Sequence, residues 1–312
     1  MAFHGSSRGR LVSSHSGSSR QVAIVAFKDY DNPELLRSVQ RAQTKILEEF
    51  DRLCRQLEIP YAVYGGTAIG AVRHGGFIPW DDDTDVCLTR QDYERFLREA
   101  PPLMGDEFAL NNLRLMDDFP YMYTKMVLKG TKFVHEWAKE ATYQLPLSLD
   151  VFPLDELAPT KREFRKQSRD TWFWGRLLFL HGTPRPYLEV QGPIRPLIFA
   201  ATTVVHKALH TLGIKQKWIQ GQWEKSARRF EGSGAPAMSD FTMMDPLTWV
   251  VTADDLFPTR DVPFENITVS LPKEYDKVLT RGYGKYMELP PVEKRKNHQP
   301  YLVELGRHGE MG

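Results

Sequence analysis

Apolar residues recur at spacings of three and four from Leu35 through Val39, Ala42, Ile46, Phe50 and Leu53 to Leu57, with polar residues between them. That period predicts an amphipathic helix laid against a core. Asn32-Pro33-Glu34 supplies its start, with a capping Asn, Pro at the first helical position and an acid in the first turn. Pro60 is the expected stop. Residues 21–27 read as a short strand before this helix, and residues 61–64 as another after it. Gly65-Gly66 then reads as a tight turn, residues 67–73 as a short helix, and His74-Gly75-Gly76 as its break. Further strands are expected over 83–88, 108–115, 121–128 and 147–152, the last ending at Pro153, with a helix over 91–100. From about residue 161 to 229 the chain turns basic, aromatic and largely helical, with Pro and Gly breaks around 182–196. Residues 254–300 alternate short apolar pieces with Pro and Gly.

Strands and helices interleaved in this order predict an α/β (α+β) architecture, a mixed sheet with flanking helices and a helical insertion. The expected division is a flexible tail over 1–20, a catalytic core over 21–160, a basic and aromatic helical insertion over 161–250, and a C-terminal segment, 251–312, that completes the core.

Composition changes this picture little. The 312 residues are 41% hydrophobic and 26% charged, ordinary for a globular chain, and the net charge of +1 gives no global polyanion-binding signal. No nucleic-acid partner is expected. Cys54 and Cys87 form no metal-binding spacing and no disulfide framework, and read as buried reduced thiols. The first twenty residues are rich in Ser, Gly and Arg without an apolar run. They read as a tail rather than a secretory signal, with a faint likeness to a transit peptide. No apolar stretch reaches the length of a membrane span.

The chemistry concentrates in one place. Asp81, Asp82, Asp83 and Asp85 put four carboxylates in five positions at the start of an apolar strand. Such a cluster repels itself and becomes favourable around a divalent cation. In a strand, residues two apart point to one face, so Asp83 and Asp85 converge. Asp150 stands alone in a second apolar strand, where it needs a partner, a metal or a capping role. Gly65 and Gly66 permit close approach to an anion at a helix N-terminus, which adds roughly half a positive charge, and Thr67 offers a hydroxyl. A Gly-Gly pair also serves plain turn chemistry. A glycine turn, an Asp-x-Asp strand and a distant third Asp together resemble the DNA polymerase beta-like nucleotidyltransferase arrangement, in which metals stabilise an in-line displacement at phosphorus.

The run from Tyr64-Gly65-Gly66-Thr67 through Arg73-His74-Gly75-Gly76-Phe77-Ile78-Pro79-Trp80 to Asp81-Asp82-Asp83-Thr84-Asp85 closely resembles the signature of the LicD family, which includes bacterial phosphocholine transferases and is related to fukutin and the fukutin-related protein. The likeness continues in Leu149-Asp150-Val151-Phe152-Pro153 and returns over 271–291, with His298 beyond. Thr84 and Cys87 depart from the usual aliphatic residues and leave the acids intact. The resemblance implies a nucleotidyltransferase-like fold. It also implies transfer of phosphocholine or a polyol phosphate from a CDP-alcohol donor to a saccharide acceptor on a cell-surface glycan or its lipid-linked precursor. It puts a divalent metal, Mg2+ or Mn2+, on Asp83, Asp85 and Asp150, and the donor phosphates on Gly65, Gly66 and Thr67. One of these carboxylates, or Asp81, would take the proton of the attacking hydroxyl.

Weaker candidates are Arg73 and His74 at the end of the short helix, Lys125 as an inward strand cation, and His298 as a closing group. Trp80, Tyr64, Tyr121 and Tyr123 are aromatic faces that choline could use. The basic aromatic stretch 171–229, with Arg176, Arg185, Arg195, Lys207 and Lys215, suits a subdomain packed on the sheet, and equally a peripheral membrane contact. A cytoplasmic location, at the inner face of the membrane, is the matching expectation. Two other functions remain open: a nucleotidyltransferase that moves a nucleoside monophosphate, and a non-catalytic glycan- or membrane-binding scaffold.

Overall fold

The computed structural model describes residues 22–24 and 32–310, apart from 118, 140, 142, 184–193, 244 and 299. The expected tail over 1–20, most of the 21–27 strand, and Arg185 lie outside the described residues. In chain order the elements begin with β1 (Val22–Ile24), α1 (Pro33–Gln56), β2 (Ala62–Val63), α2 (Gly65–His74), β3 (Thr84–Thr89) and α3 (Arg90–Glu99). Then follow β4 (Phe108–Asn111), β5 (Thr124–Leu128), β6 (Lys132–His135), β7 (Ser148–Glu156), α4 (Lys161–Gly182), α5 (Arg195–Thr211) and α6 (Gln216–Ala227). The chain finishes with β8 (Ala237–Ser239), β9 (Val251–Thr252), α7 (Ala253–Leu256), β10 (Arg260–Phe264), β11 (Ile267–Leu271), α8 (Tyr275–Tyr283) and β12 (Pro300–Glu304). The fold is a mixed α/β one.

The main sheet runs β2-β3-β7-β5-β4, with β8 and β9 extending it from β7. Only β3 and β7 are parallel in it, in register from Thr84↔Leu149 to Thr89↔Leu154. A parallel pair needs a crossover, and here the crossover carries α3, β4, β5 and β6. The strands β1, β12 and β6 form a second small sheet, and β10 and β11 a hairpin.

The helix that opens the chain forms as its pattern requires. Asn32 Oδ1 accepts the N–H of Glu34 at 2.9 Å, and Val39, Ala42, Ile46, Phe50 and Leu53 are fully buried beneath the sheet. Each of the larger ones, Val39, Ile46, Phe50 and Leu53, contributes roughly 1.5–3 kcal/mol of apolar burial. The helix ends at Gln56 rather than at Pro60, because Glu58 turns to a positive φ of 52° and reverses the chain first. Two other expectations need correction. Gly65 and Gly66 are the first turn of α2, not a turn ahead of it. The strand expected to stop at Pro153 continues to Glu156. Proline is tolerated there because β5 pairs with β7 only as far as Val151 and β8 joins at Asp155, so the missing N–H falls where one edge is unpaired.

Cys54 and Cys87 are buried free thiols, as expected. The stretch after Lys161 is helical as expected, with α4 packed against both α5 and α6 around Leu178, Leu209 and Ile219. No single helix among the described residues is long and apolar enough to cross a membrane.

Candidate functional site

The acidic run leads into β3, and its residues alternate in burial. Asp82, Thr84 and Val86 are buried, whereas Asp81, Asp83 and Asp85 are partly open on the other face. Two buried glutamines on α1 hold the run in place. Gln40 Nε2 donates to the Asp81 carbonyl at 2.9 Å, and Gln43 Nε2 to the Asp82 carbonyl at 3.2 Å. Thr84 Oγ1 donates to Gln43 Oε1 at 2.9 Å. The polar inward positions of α1 thus fix the carboxylates outward.

The register then assembles a row. Asp85 on β3 lies opposite Asp150 on β7, and Asp150 lies opposite Lys125 on β5. Adjacent strands are about 4.8 Å apart, so two acids and a cation stand side by side on one face. The Lys125 ammonium forms an ion pair with Asp150 Oδ1 and lies 3.4 Å from Ser148 Oγ. It also sits 4.8 Å from the ring centre of Tyr121 and 5.5 Å from that of Tyr123. The Tyr123 hydroxyl donates to Asp150 Oδ2 at 2.9 Å. A cavity of about 290 Å³ opens on this row, lined by Asp82, Asp83, Asp85, Asp150, Tyr121, Tyr123, Phe152, His135 and His298 among others.

The glycines meet the acids, not an open cradle. A Cβ on Gly65 would lie 3.0 Å from Asp85 Oδ2, and one on Gly66 only 2.7 Å from Asp81 Oδ2. The positive end of α2 therefore faces the Asp81 and Asp85 carboxylates. Thr67 Oγ1 accepts the N–H of Asp85 at 2.8 Å and fastens β3 to α2.

His298 closes the acidic loop. Its backbone N–H donates to Asp82 Oδ1 at 3.1 Å and its Nδ1 to the same oxygen at 2.7 Å, while Nε2 lies 3.3 Å from Asp83 Oδ2. A ring with both nitrogens on carboxylates is an imidazolium, and the Asp83 and Asp82 charges hold its pKa well above the ordinary value. Since that pKa is raised, the contact is at full strength below pH 6.5, the ordinary histidine value, and is lost as pH rises through the higher one. His298→Ala should flatten this alkaline decline in stability, by about 1 kcal/mol given the half-exposed ring. Melting temperature against pH for both proteins measures it, and superimposable profiles would refute the contact.

Burial, with neighbouring negative charge, raises the carboxyls of Asp81, Asp83 and Asp85. For Asp83 the added charges are Asp82 and Asp150, and for Asp85 they are Asp83, Asp150 and Asp81. Burial pushes His135 down to about 4, helped by the charges of Lys125 and His298.

An all-carboxylate set of this kind fits a hard divalent cation, whose charge would relieve the repulsion that raises these groups. Asp83, Asp85 and Asp150, the set expected from the sequence, could hold it, with Asp150 shared between the cation and its contacts to Lys125 and Tyr123. A tighter group, Asp81, Asp82, Asp83 and His298, has ligand atoms within 4.8 Å of one another. To bind a cation there, His298 would give up its proton and its contact with Asp82.

Of the candidates read from sequence, the fold brings together Asp81, Asp83, Asp85, Asp150, Lys125, His298, Gly65, Gly66 and Thr67. It does not bring Arg73 there. Arg73 lies two turns along α2, about 12 Å from Gly65 by helix rise, with its guanidinium on the carbonyls of Tyr286 and Glu288 and its Nε on His74. Trp80 packs on the core beneath the Arg295 guanidinium, 5.0 Å away. Tyr64 is buried against Phe152 and Trp249. Tyr121 and Tyr123 do line the cavity, and their faces hold Lys125. Sequence alone marks Asp82 only as one of four clustered carboxylates, without its role under His298, and it does not point to Gln40, Gln43, or Tyr123 as the partner of Asp150. The signal for Tyr123 was present, since Tyr121, Tyr123 and Lys125 are spaced by two.

Residues 58–186 match the family described as LicD/FKTN/FKRP, nucleotidyltransferase domain. The chain is 26% identical over 272 residues to a Haemophilus influenzae protein named lipopolysaccharide cholinephosphotransferase LicD, covering 84% of this chain and 95% of that one. It is 35% identical over 99 residues to an uncharacterized protein of Rickettsia typhi, covering 29% of this chain and 30% of that one.

Proposed function

We propose, from the match of residues 58–186 to the LicD family, that the chain is a phosphotransferase with a nucleotidyltransferase-like core. It moves phosphocholine, or a polyol phosphate, from a CDP-linked donor to a sugar hydroxyl of a cell-surface glycan or its lipid-linked precursor. The observation that carries the reading is the row Asp85, Asp150 and Lys125 across three strands, with Asp83 in the same cleft. The name of the Haemophilus relative supports phosphocholine as the first group to test. The proposal places the core in residues 21–160 and 251–312, the insertion in 161–250, and the protein in the cytoplasm at the inner face of a membrane.

In this reaction the acceptor oxygen bonds to the phosphorus that carries the alcohol, the bond from that phosphorus to CMP breaks, and CMP leaves. The acceptor hydroxyl proton passes to a carboxylate of the cleft. We assign this role to Asp81, whose carboxyl is raised by burial and by the Asp83 charge and whose Oδ2 lies against Gly66. Mg2+ or Mn2+, when bound by Asp83, Asp85 and Asp150, supplies positive charge to the transferring phosphoryl group. Lys125 supplies a second positive charge from the protein itself. Tyr123 holds Asp150, and Thr67 holds the backbone of Asp85. Gln40 and Gln43 keep the acidic strand from rotating its carboxylates into the core.

The test is thermal stability against CDP-choline, CDP-ribitol, CDP-glycerol, CTP and ATP, each with and without Mg2+. One CDP-alcohol should raise the melting temperature only when metal is present. At a hundredfold excess over Kd the gain is about 2.7 kcal/mol. A shift with CTP alone, and pyrophosphate rather than CMP as product, would move the reading to nucleotidyl transfer. No metal-dependent shift with any ligand would favour the scaffold.

A further inference from the structure

Helix α5 presents its apolar residues outward. Leu197, Ala201, Val204 and Ala208 lie on one stripe at spacings of four, three and four, and all are exposed, as is Leu212 at the helix end. Leu197 is 69% exposed, Val204 65% and Leu212 73%, and among the described residues nothing covers them. The opposite side of the helix is held by the body of the protein. Leu209 is buried there, the His206 ring meets the Leu180 carbonyl at 3.0 Å, and the His210 ring meets the His181 carbonyl at 3.1 Å. A helix apolar on both sides, with only one side packed, presents its other side to something other than water.

Charge selects the occupant. Between Asp170 and Glu224 the sequence carries six Lys and Arg but a single acid, Glu189. Arg195 opens α5, and Lys207 lies on its exposed side. Apolar residues flanked by Arg195 and Lys207 match the plane of a bilayer with anionic headgroups. At 17 residues, about 25 Å, α5 is shaped to lie along such a surface, and it is not long and apolar enough to cross one by itself.

We propose that the exposed face of α5 is a lipid-docking surface, inserted in the headgroup region of an anionic membrane. The inference does not rest on the transfer reaction, and its test uses no donor. The full-length protein is floated, at low salt, with vesicles of phosphatidylcholine alone and of phosphatidylcholine mixed with phosphatidylglycerol. It should float with the mixed vesicles and lose that binding as salt is raised. The double variant Leu197→Asp/Val204→Asp should bind at least about tenfold less, with an unchanged melting temperature, because both side chains point into solvent. Should that variant melt early, Arg195→Glu/Lys207→Glu carries the same test through charge alone and should lose binding to the mixed vesicles. Failure of the intact protein to float, or full binding by these variants, would overturn the proposal. So would a concentration-dependent dimer that Leu197→Asp/Val204→Asp dissolves while lipid binding stays absent, since the occupant would then be a second copy of the chain.

Discussion

Asp85→Asn should abolish transfer while leaving a folded protein. Asparagine keeps the shape of the side chain against Gly65 and removes only its charge. The loss expected is about a thousandfold in rate, ~4 kcal/mol of transition-state stabilisation, the scale of a metal ligand in phosphoryl transfer. Metal-dependent stabilisation should disappear with it. Stability of the metal-free protein should move the other way. The Asp85 carboxyl is raised by burial and by Asp83, Asp150 and Asp81. Stability from a raised acid is complete below its ordinary value and falls as pH rises from there through the raised one. The wild-type protein therefore carries that loss at neutral pH, and Asp85→Asn should melt at the same temperature or higher. Asp83→Asn should lose rate in the same way, but gain less in stability, because its carboxyl, raised by burial, is also the charge that holds the His298 imidazolium. Rates with a CDP-alcohol and melts at pH 7 with a chelator decide the matter. Two unfolded variants would make these aspartates structural, and wild-type rates would remove them from the chemistry.

The largest effect on stability should come from Arg90→Met. Arg90 and Asp155 are 5% and 1% exposed, and the guanidinium donates twice to the carboxylate, at 2.7 Å from Nε and 2.7 Å from Nη2. The pair ties the first residue of α3, next after β3, to β7. Removing one member of a buried pair leaves the other charge unsatisfied and costs about 3–5 kcal/mol. Burial already pushes the Asp155 carboxyl upward, and Arg90 is the main opposing charge. Arg90→Met/Asp155→Leu should recover much of the loss, because no charge is then stranded. Urea denaturation of the two single variants and the double one gives the coupling directly. A loss below about 1 kcal/mol for Arg90→Met would mean that the pair is solvated.

The sequence by itself determined whatever depends on neighbours along the chain. The spacing from Leu35 to Leu57, with Asn32 and Pro33 at its head, defines α1, because capping and amphipathic burial are local properties. The convergence of Asp83 and Asp85 on one face follows from the period of a strand. The family resemblance was also legible, since it rests on contiguous motifs. What only the tertiary structure decided is what distant segments do to one another. Strand register set Asp150 between Asp85 and Lys125, and no local pattern encodes register across a crossover. The close fit of Gly65 and Gly66 to two carboxylates required the angle between α2 and β3. Arg73 reads as a phosphate ligand in sequence, and the packing of the C-terminal segment gives it two carbonyls instead. His298 reaches the acidic loop from more than two hundred residues away because Asp82, turned inward by strand alternation, offers the buried acceptor that its backbone and ring both need.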